Sequence, residues 1–401
     1  MLDAQRYSGR SKSRVSFPGI LLALWAVSWC ARASALELGS PDDLLSVDVH
    51  GFVTQGFILT TGNDYIDLNT TKGSFQYSEV GINFTKTLVD RLTLGIEFFG
   101  YDLGPSGNYD ATVNWFYLDY HWRDWLAVRA GRVQIPYGFY NEIQDVDAAR
   151  NPVLLPQSVY PLQSSTFLFA QTGFEVYGFH RFGGAGALDY RLFAGTIFLD
   201  PGALIPAGDP IQLQFTVPYV AGGRVIWETP LRGLRVAVSA ETLHIDTTAF
   251  LPTAAVHIQG QDEVWLASVE YSIRDLTLTA ELGRGYVQQS SDTPALSPYL
   301  SQVSEAGYVM ATYRVARWFQ PGVYYALSFP NVFQTNGRAD QQNDFAATLR
   351  FDINRFWLVK LEGHFMAGTA GLISALDVDG PDVSANPPYW GAFFATTTAY
   401  F

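Results

Sequence analysis

The sequence predicts an all-β chain: a transmembrane, antiparallel, up-and-down β-barrel of about 16 strands whose third external loop folds inward. Three observations carry that prediction. Apolar and polar residues alternate over many short stretches. The connections between those stretches alternate in length. One long proline-rich stretch interrupts the pattern between Gly131 and Leu162.

Alternation comes first, because successive side chains of a strand point to opposite faces. Residues 46–60 set Val47, Val49 and Val53 against Asp48, His50 and Thr54. Residues 74–88 set Val80, Ile82 and Phe84 against Glu79, Asn83 and Thr85. The same period recurs over 92–104, 126–132, 234–246, 276–290, 342–352 and 357–368, and less cleanly over 109–122, 170–182, 188–199, 217–229, 262–273, 302–315, 320–329 and 390–401. That gives sixteen strands, with boundaries loose enough to admit 14 or 18. The chain is 48% hydrophobic and 15% aromatic. Spreading that apolar content over every second residue suits strands with one face toward lipid.

Short turns fall at 89–91, 123–124, 183–186, 230–233, 274–275, 316–317 and 354–355. Longer links fall at 61–73, 105–108, 133–169, 200–216, 247–261, 291–301, 330–341 and 369–389. Seven short and eight long connections suit sixteen antiparallel strands with both ends on one side, short turns toward the periplasm and long loops outside. Trp122, Trp125, Trp227, Trp318 and Trp357 lie at or beside the short turns. Indole favours the membrane interface. The chain ends on Tyr400 and Phe401, and a terminal phenylalanine after an alternating strand resembles the assembly signal of bacterial outer-membrane barrels.

The N-terminus reads as an export signal. Arg6, Arg10, Lys12 and Arg14 precede the apolar run 19–29, and Ala33-Ser34-Ala35 is an A-x-A cleavage site. The expected organisation is a cleaved signal peptide over 1–35, a short periplasmic segment over 36–43, and one barrel over 44–401. The only cysteine, Cys30, falls in the cleaved part. The mature chain then has no disulfide scaffold, thiol nucleophile or cysteine metal site. Cleavage removes five basic residues and one acid, so the formal net charge moves from −13 to −17. Such a chain does not suit nucleic acid, whose phosphates need a basic surface.

The stretch GRVQIPYGFYNEIQDVDAARNPVLLPQSVYPL holds Pro136, Pro152, Pro156 and Pro161, so it is no central strand. Loops of this length in a compact protein are usually functional. Its charges, Glu142, Asp145, Asp147 and Arg150, are candidates for a pore constriction. Alternation turns Arg129, Arg191, Arg224 and Arg235 inward, because a charge facing lipid near the midplane costs roughly 2–4 kcal/mol. Loop acids facing wall arginines would set a transverse field that screens solutes. The other reading is that the charges pair to pin the loop. Tyr137, Phe139 and Tyr140 admit the same two readings, a stacking surface or loop packing, with packing favoured.

The segment from Gly131 resembles the phosphate-selective porin O/P-like superfamily, in which a strand ending Gly-Arg leads into Pro-x-Gly-x-Tyr-Asn-Glu. Here those residues are Gly131, Arg132, Pro136, Gly138, Tyr140, Asn141 and Glu142. The resemblance implies a trimeric outer-membrane porin of a Gram-negative bacterium, a passive channel for small hydrophilic solutes. Phosphate channels of that kind rely on clustered lysines, and only Lys72, Lys86 and Lys360 remain after cleavage. The expected partners are outer-membrane lipid, small hydrophilic solutes and two further copies of the chain. No cofactor or metal is expected: the six histidines show no ligand spacing, and GGAG at 183–186 reads as a hairpin turn. The net charge leans toward cations or neutral solutes. Two alternatives stand beside the channel: a barrel hydrolase, for which no G-x-S-x-G elbow is present, and a structural or adhesive barrel.

Overall fold

The computed structural model describes residues 36–38, 46–104, 107–162, 170–198, 212–250, 254–293, 299–372 and 386–401. The expected signal peptide lies outside them. The architecture is a closed sixteen-stranded antiparallel β-barrel, with one further short strand, β1 (Leu36–Leu38). The barrel runs through β2 (Val47–Thr61), β3 (Ser78–Val89), β4 (Leu92–Asp102), β5 (Thr112–Arg123), β6 (Leu126–Gln134), β7 (Ala170–Arg181), β8 (Ala187–Ile197) and β9 (Gln212–Glu228). It continues through β10 (Leu234–Phe250), β11 (Ala255–Ile273), β12 (Leu276–Ser291), β13 (Leu300–Tyr313), β14 (Phe319–Phe329), β15 (Gln342–Asn354), β16 (Trp357–Gly368) and β17 (Tyr389–Tyr400).

Closure is made by β17 against β2, from Gly391↔Thr61 to Tyr400↔Phe52. The ladder then runs on to Phe401, whose backbone exchanges two hydrogen bonds with Gly51. Closing the ring leaves no open sheet edge for lipid to meet. Short and longer connections alternate around it, except that only four residues join β10 to β11.

Exposure is inverted relative to a water-soluble protein. On β12, Leu282 is 55% exposed while its neighbour Glu281 is 3% exposed. On β16, Phe365 is 59% exposed and His364 7%. Val80 beside Glu79, Phe98 beside Glu97 and Phe345 beside Asp344 repeat the contrast. Only a solvent that welcomes hydrocarbon rewards that arrangement. Trp122, Trp125, Trp227 and Trp318 are exposed at the short-turn end, where an interfacial aromatic girdle belongs. No helix among the described residues is long and apolar enough to cross a membrane. The crossing is made by strands.

Two sequence expectations change. The expected long link at 247–261 is mostly strand: β10 runs to Phe250, β11 starts at Ala255, and register continues through Thr248↔His257 to Phe250↔Ala255. The β-branched residues Thr247, Thr248, Val256 and Ile258 favour continuing the ladder. The segment expected as a plain periplasmic lead-in contributes β1, which pairs Leu36, Glu37 and Leu38 with Val49, Asp48 and Val47.

An arginine placed on the outer face at Leu282 is expected to destabilise the barrel by about 2–4 kcal/mol. Equilibrium refolding into lipid vesicles, compared with the parent chain, measures it.

Candidate functional site

The connection from β6 to β7 enters the barrel. Its described part, 135–162, is mostly buried and touches strands on nearly every side of the lumen. A backbone folded away from water must find partners for its N–H and C=O groups, and here the wall supplies them. Glu281 of β12 accepts the Phe139 N–H at 3.0 Å, the Ser268 hydroxyl at 2.6 Å and the Tyr308 hydroxyl at 2.7 Å, and it also receives Tyr160. Glu362 of β16 accepts the N–H groups of Val153 at 2.7 Å and Leu154 at 2.9 Å. Arg350 of β15 donates to the carbonyls of Ala148 and Arg150 at 2.8 and 2.9 Å. Lys360 of β16, fully buried, donates to the Asp147 carboxylate at 2.8 Å and to the carbonyls of Asp147 and Pro152.

Gly138 shows why the entry sequence is so particular. Its φ is +57°, and a Cβ there would sit 2.1 Å from the Tyr160 hydroxyl and 2.8 Å from Glu281. Only glycine tolerates both conditions at once. Its N–H donates to Ser239 at 3.0 Å, and its carbonyl accepts from Arg224 at 2.7 Å.

The two readings of the loop charges separate residue by residue. Asp147 and Asp145 are buried anchors. Asp147 binds Lys360, accepts from Thr398 at 2.7 Å and lies 3.5 Å from Arg150. Burial alone would raise its carboxyl, but Lys360 and Arg150 outweigh burial and hold it below the ordinary carboxylate range. Asp145 accepts from Asn114 and Gln134, and burial raises it. Arg150 is buried between Asp147 and Glu79, at 3.7 Å from the latter. Asn141 is fully buried, bonded to the Ile135 carbonyl and to Gln144. Tyr137 packs edge-on against Tyr160 in the core. The Tyr140 hydroxyl donates to Glu270 at 2.6 Å, and burial with Glu270 alongside raises its phenol, so it stays a donor. The three aromatics pack the loop.

Glu142 is different. Its side chain is 24% exposed and bridges Arg191 and Arg224, the latter at 2.7 Å. Around it stand the wall arginines from four neighbouring strands. Arg129 pairs with Asp119 at 2.8 Å and Glu175 at 3.3 Å, and stacks over Tyr117 and Tyr177. Arg235 pairs with Glu270 at 3.0 Å and lies over the Phe139 ring. Arg132 donates to the Asn114 carbonyl at 2.9 Å. All lie on the β5–β10 side; all but Arg132, near the loop end of β6, lie toward the short-turn end. The opposite side of the lumen is filled by Ile58, Tyr77, Val153, Leu154, Trp390 and Phe394.

Sequence reasoning missed the anchors Glu281, Glu362, Lys360 and Arg350. Alternation set all four on the polar face, yet nothing local ties them to a loop 142 to 213 residues away. His364 has its Nδ1 3.0 Å from Asp344 and its Nε2 3.0 Å from Glu362, so both ring nitrogens already face carboxylates. Among the described residues, no group of three or more His, Cys, Asp or Glu is placed to hold a metal ion.

The comparisons bear on fold. No protein-family model matches the chain, and no curated protein matches it. Solved structures do. An outer-membrane-expressed OmpT of Vibrio cholerae is 13% identical, with a TM-score of 0.54, covering 91% of this chain and 100% of its own. The anion-selective porin from Comamonas acidovorans is 12% identical, with a TM-score of 0.52, covering 89% and 99%. Salmonella typhi OmpF in complex with daunomycin is 14% identical, with a TM-score of 0.54, covering 89% and 98%. What they share with this chain is the barrel.

Replacing Lys360 by Met leaves Asp147 charged and buried, with only Arg150 at 3.5 Å as a cation. The expected cost is about 3–5 kcal/mol, part of it recovered by adding Asp147→Asn. A carboxyl lowered on folding contributes stability that is complete above its unfolded value, about pH 4, and is lost as pH falls through its lower folded value. Denaturant titrations below pH 4 should therefore show an acid-labile component that Asp147→Asn removes.

Proposed function

We propose that this chain is an outer-membrane porin: a passive diffusion channel for small hydrophilic solutes, narrowed by residues 135–162. One observation carries the reading. In a barrel whose outer face is apolar, the loop buried in the lumen leaves partly exposed charge where Glu142 meets Arg191, with Arg235 nearby. Charged groups that stay accessible at a constriction screen ions by sign. The solved structures titled as a porin and a channel agree with this reading at the level of fold. A homotrimer is part of the proposal, and one of the similar structures is titled a trimer form.

The solute is not phosphate on this reading. Lys360 is buried under Asp147, Lys86 donates to the Ser46 carbonyl, and Lys72 belongs to the β2–β3 connection, so no lysine ladder lines the gap. Selectivity is set by the arginines and Glu142 rather than by the net charge of the chain. The hydrolase alternative lacks support from His364, whose two nitrogens are both occupied.

Single-channel recording in planar bilayers tests the proposal, with reversal potentials taken in a salt gradient. Stable conductance is expected, with Glu142→Gln shifting ion preference toward anions and Asp145→Asn leaving it unchanged. A folded barrel that passes no current would remove the channel.

A further inference from the structure

A cavity lies at the long-loop end of the lumen, on the side away from Glu142. Its volume is about 230 Å³, bounded by the β2–β3 connection, residues 157–162 and strands β14–β16. At about 30 Å³ per water, that is room for roughly seven waters, or one small organic molecule. Tyr65, Leu162, Ala326 and Met366 give it an apolar body. Gln157, Ser158, Ser328 and Gln342 add neutral polar groups.

Among the described residues, Asp344 is the one charged side chain on the lining, and no lysine or arginine shares it. Its carboxylate is held in place from behind. His364 Nδ1 lies 3.0 and 3.1 Å from its two oxygens, and the Tyr324 hydroxyl donates at 3.3 Å. The far nitrogen of His364 meets Glu362, which is itself held by the backbone of Val153 and Leu154. One histidine cannot neutralise two carboxylates, so the group carries net negative charge in either protonation state of the ring. An anionic guest would be repelled. A neutral polyol would find few polar partners on a mostly apolar wall. A cation with an apolar body matches both parts, and the Tyr65 ring adds a face that attracts cations.

We propose that this cavity binds a small organic ammonium ion, the ammonium against Asp344 and the apolar body against Tyr65 and Met366. The site is complete without any current through the barrel, so its test is a binding measurement. The mature chain, folded in lipid nanodiscs, is titrated calorimetrically with benzylamine, benzyl alcohol and benzoate, with empty discs as the blank. Benzylamine is expected to bind saturably at one per chain, at least tenfold more tightly than benzyl alcohol, with benzoate not binding. Asp344→Asn should weaken benzylamine at least tenfold and leave benzyl alcohol unchanged. Ser328→Phe, which fills the cavity while keeping Asp344, should abolish both. Unheated gel mobility confirms that each variant is folded, and if Asp344→Asn is not, Ser328→Phe alone decides. Unsaturable uptake, equal affinity for benzoate, or benzylamine affinity unchanged in a folded variant would overturn the site. A conducting barrel without saturable binding keeps the channel and loses the site; binding without conductance does the reverse.

Discussion

A loop that enters a barrel has to bring its backbone with it. Residues 135–162 leave bulk water, and every N–H and C=O they carry costs free energy unless something accepts or donates to it. The wall meets that demand with long charged side chains: Glu281 and Glu362 for N–H groups, and Arg224, Arg350 and Lys360 for carbonyls. Charged partners form the stronger hydrogen bonds. They are also the residues that alternation forces inward, because lipid rejects them. The constraint that closes the barrel thus stocks its interior with the groups that hold the loop.

The strands were legible because each carries its own evidence. Leu278, Ala280 and Leu282 against Thr277, Thr279 and Glu281 announce a two-faced strand without reference to anything distant. The loop was legible as a loop, through its prolines and its break in period, and Glu142, Arg191 and Arg224 were drawn from its two sides. What the sequence could not show was pairing across the lumen. Asp147 and Lys360 stand 213 positions apart. Only the closed ring brings them together. For the same reason Asp145 and Asp147 looked equivalent to Glu142 in sequence, and differ only in what the wall sets against them.

Net charge proved a poor guide to the site, for a physical reason. Part of the excess acid lies elsewhere: Asp344 and Glu362 flank His364, and Glu281 is occupied by hydroxyls and backbone. A buried, hydrogen-bonded carboxylate exerts its field over a few ångströms and stabilises its own neighbours. The groups that water and a solute meet beside the loop are Glu142, Arg191 and Arg235, and their balance is not that of the whole chain.

The two sides of the lumen follow from how the loop crosses it. Its first part, 137–142, is tied to β8–β12 through polar contacts that leave Glu142 partly wet. Its middle, 147–154, is tied to β15–β17 through Lys360, Glu362 and Thr398, and buries Val153 and Leu154 against Trp390 and Phe394. That apolar packing excludes water around the Lys360–Asp147 pair, which raises both the value of the pair and the cost of breaking it. On the β5–β10 side, arginines stack on Tyr117, Tyr177 and Phe139, covering apolar rings with their charged planes. The partly exposed charge of Glu142 and Arg235 therefore stays on the arginine side, opposite the apolar packing of Val153 and Leu154.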